Sequence, residues 1–492
     1  MRFAHVLAAG VLISAGLRAA LGDHFVYRGP SNEELRVEAR LVASAGQVTV
    51  LELASGQYRL VPDGAIISRE IADGPEPMSA ESAALALEGE FSSERFRAYV
   101  KEPYVLGLVL GSPLPKNLDP RAKNFLQRVH TFLKNVESAF GAFVKEARIP
   151  ARMPTHPLVV LIFESDADFE TYAAAATGGR GLSAGRISGF YSAMTNYLAI
   201  RLAECRTFNV PLHEAIHQQV YNRNVFERLA PVPHWFDEGI ATGFEANDGK
   251  VHIGPSKVSP RYARQVLASK EVSFEQILKD DSAFTGDILA GEAYGRAWLL
   301  HWYLVTKHRT AYSKYVRLLA SKKPLEKPDP DQKLAEFAQI FGMSPQEIES
   351  EYRAVLDAAI KKQRVVLHPE LPAGASLTQE GVGEAQVDAV SRVDEGGRME
   401  VRGKLTNLSP IRPMAFHVTV ETNAGTYAEW HVPQLEISKT TTLPQQTVTR
   451  LMHGGRGGPA RSFRVRIRSA APDSAEAENW LKGNLPVPAF GG

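Results

Sequence analysis

The chain has 492 residues, more than one hydrophobic core usually serves, which predicts two to four domains. Apolar residues at 44% and charged residues at 23% are ordinary for a folded soluble protein, and 56 basic against 55 acidic side chains give a net charge of +1 that offers nucleic acid no footprint. The single cysteine, Cys205, excludes an intramolecular disulfide and any multi-cysteine metal site, so a metal would have to be held by histidine and carboxylate.

The first segment reads as an export signal. Arg2 precedes an apolar run over residues 3–17, and Ala20-Leu21-Gly22 is a small-x-small cleavage site. The expectation is a signal peptide over 1–22 and a periplasmic, cell-surface or secreted protein. The run is shorter than the ~20 residues of a spanning helix. No later stretch is long and apolar enough, so no transmembrane span is expected after signal removal. Residues 24–70 hold β-rich runs at 37–42, 48–53 and 58–61, separated by Ala45-Gly46 and Ser55-Gly56. The pattern resembles a small SH3-like β-barrel. Residues 71–95, rich in Ala, Glu, Pro and Ser, read as a linker.

From Phe96 the character changes. Phe125, Val129, Phe132, Leu133, Val136, Phe140 and Phe143 recur at helical spacing and predict a long amphipathic helix over 119–147. Residues 158–163 predict a buried strand, and 166–176 a helix capped near Ser165. Residues 178–185 read as a loop and 187–200 as strand, turn, strand. Helices are expected over 211–225, 234–246, 258–270, 285–320 and 331–364, the last broken at Gly342 and Pro345. Residues 366–376 form a second linker. Seven period-two runs between 385 and 467 then predict a β-sandwich over 377–470, with a loose tail over 471–492.

The chemistry concentrates in one helix. His213 and His217 stand four apart, so both imidazoles lie on one face about one turn apart, the spacing that lets them share one Zn²⁺. Glu214 projects to the adjacent side, where it can reach a metal-bound water and act as general base. A second helix begins at Pro233-His234-Trp235-Phe236-Asp237-Glu238-Gly239-Ile240-Ala241. Glu238 lies 21 residues beyond His217, enough chain to turn and return beside the first helix. As third ligand it would leave a fourth position open for water. Gly239 and Ala241 are small enough for close helix contact. His234 and Asp237 stand near enough to be weighed as alternatives.

His213-Glu214-Ala215-Ile216-His217-Gln218 followed by Trp235-Phe236-Asp237-Glu238-Gly239-Ile240-Ala241 resembles the paired motifs of the gluzincin metallopeptidases. It is most similar to peptidase MA-like domains of exported bacterial proteins, and more distantly to aminopeptidase N. The resemblance covers residues 96–365. It implies an α+β protein whose central zincin-like domain has a mixed sheet and active-site helices. The small barrel-like unit and the sandwich would flank that domain. It implies His213, His217 and Glu238 as zinc ligands, Glu214 as base and Asp237 as a supporting or capping residue. Gly291-Glu292-Ala293-Tyr294-Gly295-Arg296-Ala297-Trp298 is similar to the start of the helix that carries the family's oxyanion-binding tyrosine, which implies that role for Tyr294. Residues 189–200 occupy the place of the edge strand to which a peptide adds. They lack the glutamate with which the aminopeptidases hold a free amine, so the implied activity is endopeptidase action on peptide or protein substrates.

Two other readings stay open: a non-catalytic zinc-binding scaffold of the same fold, and a zinc hydrolase of a non-peptide amide. Cys205 reads as a small buried hydrophobe. The remaining histidines, His417 and His431 among them, have no partner spacing and read as structural or exposed.

Overall fold

The computed structural model of the chain describes residues 23–72, 74–177, 187–245, 251, 255–268, 272–284, 291–327, 329–367, 375–377, 381–390, 398–422, 427–449 and 463–482. The expected export signal at 1–22 and the expected loop at 178–185 lie outside them. Among the described residues the protein is a multidomain α+β molecule with twelve α-helices and four sheets. It divides after Pro77 into two compact units. No described helix is long and apolar enough to cross a membrane.

The first unit is an antiparallel sheet of β1 (Asp23–Arg28), β2 (Glu34–Ala45), β3 (Val48–Leu53), β4 (Tyr58–Pro62) and β5 (Ile66–Glu70) in the order β4-β3-β2-β1-β5. Its core is Phe25, Tyr27, Ala39, Leu51 and Val61. The first half of β2 pairs with β1 and the second half with β3, with a register shift between Leu41 and Ala43. β4 and β5 are joined by a single 3₁₀ turn at Asp63–Ala65 yet stand at opposite edges. They do not pair with each other among the described residues, so the barrel expected from the alternating pattern is an open sheet.

The second unit begins with a helix where composition suggests a linker. Residues 80–91, assigned by composition to the linker, form α1 (Ala80–Phe91). Ser79 caps it by accepting from the Ser82 N–H, and Ala80, Ala83, Ala84 and Leu87 pack on the central sheet. Small alanines make its buried face, so hydrophobic periodicity is weak there.

That sheet comprises β6 (Phe96–Lys101), β7 (Tyr104–Val109), β8 (Leu158–Phe163), β9 (Gly189–Tyr191) and β10 (Leu198–Arg201), in the order β6-β7-β8-β10-β9. β7, β8 and β10 run parallel, and the two edge strands run antiparallel to them. β8 is buried on both faces, as its unbroken run of apolar residues requires. Val159, Leu161 and Phe163 face α1 and α3 (Asp166–Ala176). Leu158, Val160 and Ile162 face the larger core, which includes α2 (Asp119–Glu146) and α4 (Asn209–Asn222).

Helices α5 (His234–Gly243), α6 (Pro260–Ala268), α7 (Phe274–Lys279), α8 (Glu292–Lys307), α9 (Arg309–Ala320), α10 (Pro330–Phe341) and α11 (Pro345–Gln363) complete the helical layer. Of the helix expected over 285–320, residues 285–290 lie outside the described residues, and the rest is two helices, α8 and α9, divided at His308.

The C-terminal region pairs β11 (Ala375–Leu377), β17 (Phe463–Ala470), β14 (Met414–Thr422) and β15 (Tyr427–Leu435) in one sheet. β12 (Gly383–Val390), β13 (Arg398–Asn407) and β16 (Thr440–Thr449) form another. Two of the expected strands are one: β16 runs through Pro444, on a sheet edge, where the register to β13 shifts between Val401 and Gly403. The tail expected to be loose contains α12 (Ala475–Leu481), capped by Ser474, with Ala477 and Trp480 buried against Ala415 and Ala470. These sheets share one compact unit with the central sheet. Arg412 Nε lies 3.0 Å from Glu164 Oε1 just after β8, and its guanidinium also donates to Ser112 Oγ at 2.8 Å and Ser112 O at 2.9 Å.

Candidate metal centre

Every side chain of α4 from Val210 to Val220 is buried. A helix enclosed all round carries polar residues only if each finds partners. Gln218 Nε2 donates to Val159 O at 2.9 Å, and Gln219 Nε2 to the Tyr104 hydroxyl at 3.1 Å. These bonds fix α4 against β7 and β8. His213 and His217 share a different face of the helix, and Glu214 lies one turn before Gln218.

Helix α5 returns beside α4 and brings Glu238 to the histidines. Glu238 Oε2 is 3.0 Å from His213 Nε2 and 3.6 Å from His217 Nε2, and the two Nε2 atoms are 3.1 Å apart. The imidazole planes meet at 69°. α5 is placed in turn by α8. A Cβ on Gly239 would lie 2.9 Å from Ala297 O and from His301 Cβ, so only glycine allows this approach.

The other nitrogen of each imidazole has its own carboxylate. His213 Nδ1 is 2.7 Å from Glu245 Oε1, and the Tyr262 hydroxyl donates to Glu245 Oε2 at 3.0 Å. His217 Nδ1 is 3.3 Å from Asp237 Oδ1, and the Tyr221 hydroxyl donates to Asp237 Oδ2 at 2.9 Å. Each ring is thus oriented by a tyrosine–carboxylate pair behind Nδ1, with Nε2 directed toward Glu238. The spacing of these partners is visible in retrospect. Tyr221 continues the row of His213 and His217 one turn on, and Glu245 lies two turns beyond Glu238.

Glu214 is turned away from this convergence. Its Oε2 accepts from the backbone N–H of Tyr191 on edge strand β9 at 2.8 Å. Gly189 permits the contact, because a Cβ there would meet Ile200 and Val210 side-chain atoms at 2.6 and 2.9 Å. Tyr191 also stacks on Tyr221 and donates to Asn196 Oδ1, which itself accepts from Asn222 at the end of α4.

The electrostatics are those of a pocket that draws a cation. Burial lowers His213, but hydrogen bonds to Glu238 and Glu245 outweigh it and push the imidazole up to about 10. His217 is likewise raised well above its usual value: burial is outweighed by the charges of Asp237 and Glu238. Glu238 stays below the usual carboxylate range despite burial, because His217 and His213 face it. Burial raises Glu214, against the opposing pull of the two histidines. Without a metal, protons supply the positive charge that these carboxylates require.

The three donors fit a metal ion. A first-row metal bonded at about 2.0–2.1 Å has ligand–ligand edges of about 2.9–3.4 Å, from octahedral to tetrahedral. Two of the observed edges, 3.0 and 3.1 Å, lie within that range and the third, 3.6 Å, lies just above it. Two neutral imidazoles and a carboxylate, each ring oriented from behind, match its chemistry. His213, His217 and Glu238 are therefore a buried group able to hold a metal ion.

Tyr294, on the first turn of α8, is buried beside the centre. Burial and the nearby charges of Glu238, Glu214, Asp237 and Glu245 raise its phenol, and its ring meets Phe284 edge-on. Its hydroxyl has no hydrogen-bond partner among the described residues. His234 lies outside the cluster, stacked on Phe284. Arg296 is structural: it is fully buried, 3.0 Å from Glu349, over the rings of Phe274 and Tyr352. Cys205 is buried and its thiol is pushed up by burial, which keeps it unreactive.

Residues 209–326 match the family described as "Protein of unknown function (DUF1570)". The matched segment opens at the first residue of α4 and holds His213, Glu214, His217, Glu238, Glu245 and Tyr294. No curated protein matches the chain.

Proposed function

We propose that this chain is an exported zinc metallopeptidase of the gluzincin type, acting as an endopeptidase on peptides or proteins. The observation that supports it most is the division of labour on α4: His213 and His217 converge with Glu238, while Glu214 between them is held aside by the edge strand. Zinc bound by the three residues would supply a Lewis acid to polarise a substrate carbonyl and acidify a water.

The chain's own groups do the rest. Glu214 keeps one oxygen on the Tyr191 N–H, which leaves the other to take a proton from the attacking water and deliver it to the leaving amine. The Tyr294 hydroxyl, protonated and without a hydrogen-bond partner among the described residues, donates to the developing oxyanion. Among the described residues strand β9 pairs with β10 alone, and its other edge offers main-chain groups to an extended substrate. No glutamate stands between Gly189 and Ile200 to anchor a free amine, which favours internal cleavage.

The test uses zinc analysis together with digestion of a proteome-derived peptide library. Glu214→Gln should retain one tightly held zinc and lose cleavage. A wild type that holds zinc yet cuts no peptide supports the scaffold reading. Cleavage of small non-peptide amides alone supports the amidase reading.

A further inference from the structure

The C-terminal sheet carries a second group of two imidazoles and a carboxylate: His417, Glu429 and His431. His417 on β14 and His431 on β15 are direct cross-strand partners. Glu429 precedes His431 by two residues, so all three side chains share one face of the sheet. Glu429 Oε1 is 2.8 Å from His417 Nε2 and 3.1 Å from His431 Nε2. Both distances lie within or close to the edges of about 2.9–3.4 Å expected between ligands of one first-row metal ion. His417 is 96% buried, with the Trp480 ring of α12 at 5.9 Å, and its Nδ1 is buried without a hydrogen-bond partner among the described residues.

The purely structural alternative is a cross-strand network in which one carboxylate accepts from two neutral rings. Two features favour a ligand site. Both Nε2 atoms address the same carboxylate oxygen, which gathers three potential ligand atoms within reach of one ion. In addition, the buried His417 ring has no partner at Nδ1 among the described residues, so no second hydrogen bond resists a small reorientation of its Nε2 toward an ion. The rings are parallel, 7° apart at 4.7 Å, so their in-plane lone pairs run side by side. Capturing an ion therefore requires one ring to turn. His431, on the edge strand with 29% of its side chain exposed, has the room.

We propose that His417, Glu429 and His431 form a second site for a divalent transition-metal ion, which ties edge strand β15 to β14. The donor set of nitrogen and oxygen suits zinc. The site is about 10–100-fold weaker than the helical centre, because no carboxylate among the described residues orients His417 from behind. It is independent of the peptidase reading.

The test is a zinc titration of the untagged, metal-stripped full chain against a chelating indicator. His431→Ala and Glu429→Gln each remove one weaker equivalent relative to wild type. The double variant His213→Ala/His217→Ala keeps that equivalent and melts at higher temperature when zinc is added. Exposure of His431 makes His431→Ala safe for folding, and Glu429→Gln preserves shape. The proposal is overturned if all zinc bound by the wild type remains bound by both single variants.

Discussion

Two histidines and a glutamate meet on helices in one region of this molecule and on strands in another, and the two groups are built differently. On α4 the helical pitch sets the imidazole planes at 69°, while Asp237 and Glu245 hold the rings from behind. On β14 and β15 the flat pairing of the sheet leaves the planes 7° apart, with His417 Nδ1 unsupported. Bringing donors together is therefore easy for either element. Aiming lone pairs at one point takes a layer of acceptors behind the rings, and only the helical group has it.

The largest expected effect tests whether the helical group is chemical as well as structural. Glu214→Gln should lower peptide cleavage by about 10²–10⁴-fold with zinc retained. A loss of zinc along with activity would mean that Glu214 serves the architecture instead. Next is the joint between the regions. Arg412→Ala leaves Glu164 buried without its partner, and should cost about 3–5 kcal/mol in a denaturant titration. If far-ultraviolet dichroism and tryptophan emission then unfold at separate midpoints, the two regions are not one cooperative unit.

A smaller effect separates the two groups directly. Glu245→Ala should weaken zinc at the helical centre by about 10–100-fold and leave the strand site unchanged. Equal weakening at both would refute the role given to Glu245. The last prediction concerns pH. His213, raised to about 10 without metal, must lose its proton to bind zinc, so affinity at the helical centre should climb between pH 6.5 and 8.5. His417, which burial holds down at about 4, is already neutral there, so the strand site should climb less. The same shift has a stability consequence in the metal-free protein. A folded pKa above the unfolded value near 6.5 stabilises fully below that pH and is lost through about pH 10. Melting of the metal-free chain at pH 7 and pH 10.5 checks the sign.

Much of the central domain was legible because its signals are local. The apolar row from Phe125 to Phe143 gives α2, and the run at 158–163 gives β8. Misreadings arose where the signal was non-local or weak. α1 buries alanines that carry little periodicity, and α12 is anchored by two residues, Ala477 and Trp480. The first unit has the strands of a barrel, but edge pairing cannot be read from alternation.

The same distinction divides the metal centre. His213, Glu214 and His217 follow from sequence alone, since a helix fixes what lies one turn apart. That Glu238 reaches them depends on how α5 packs on α8 through Gly239. Tyr262 and Glu245 are brought to His213 by the same tertiary packing. His417 and His431 are meaningless in sequence, fourteen positions apart. They become partners only through the register of β14 and β15, which chain folding sets and local spacing does not encode.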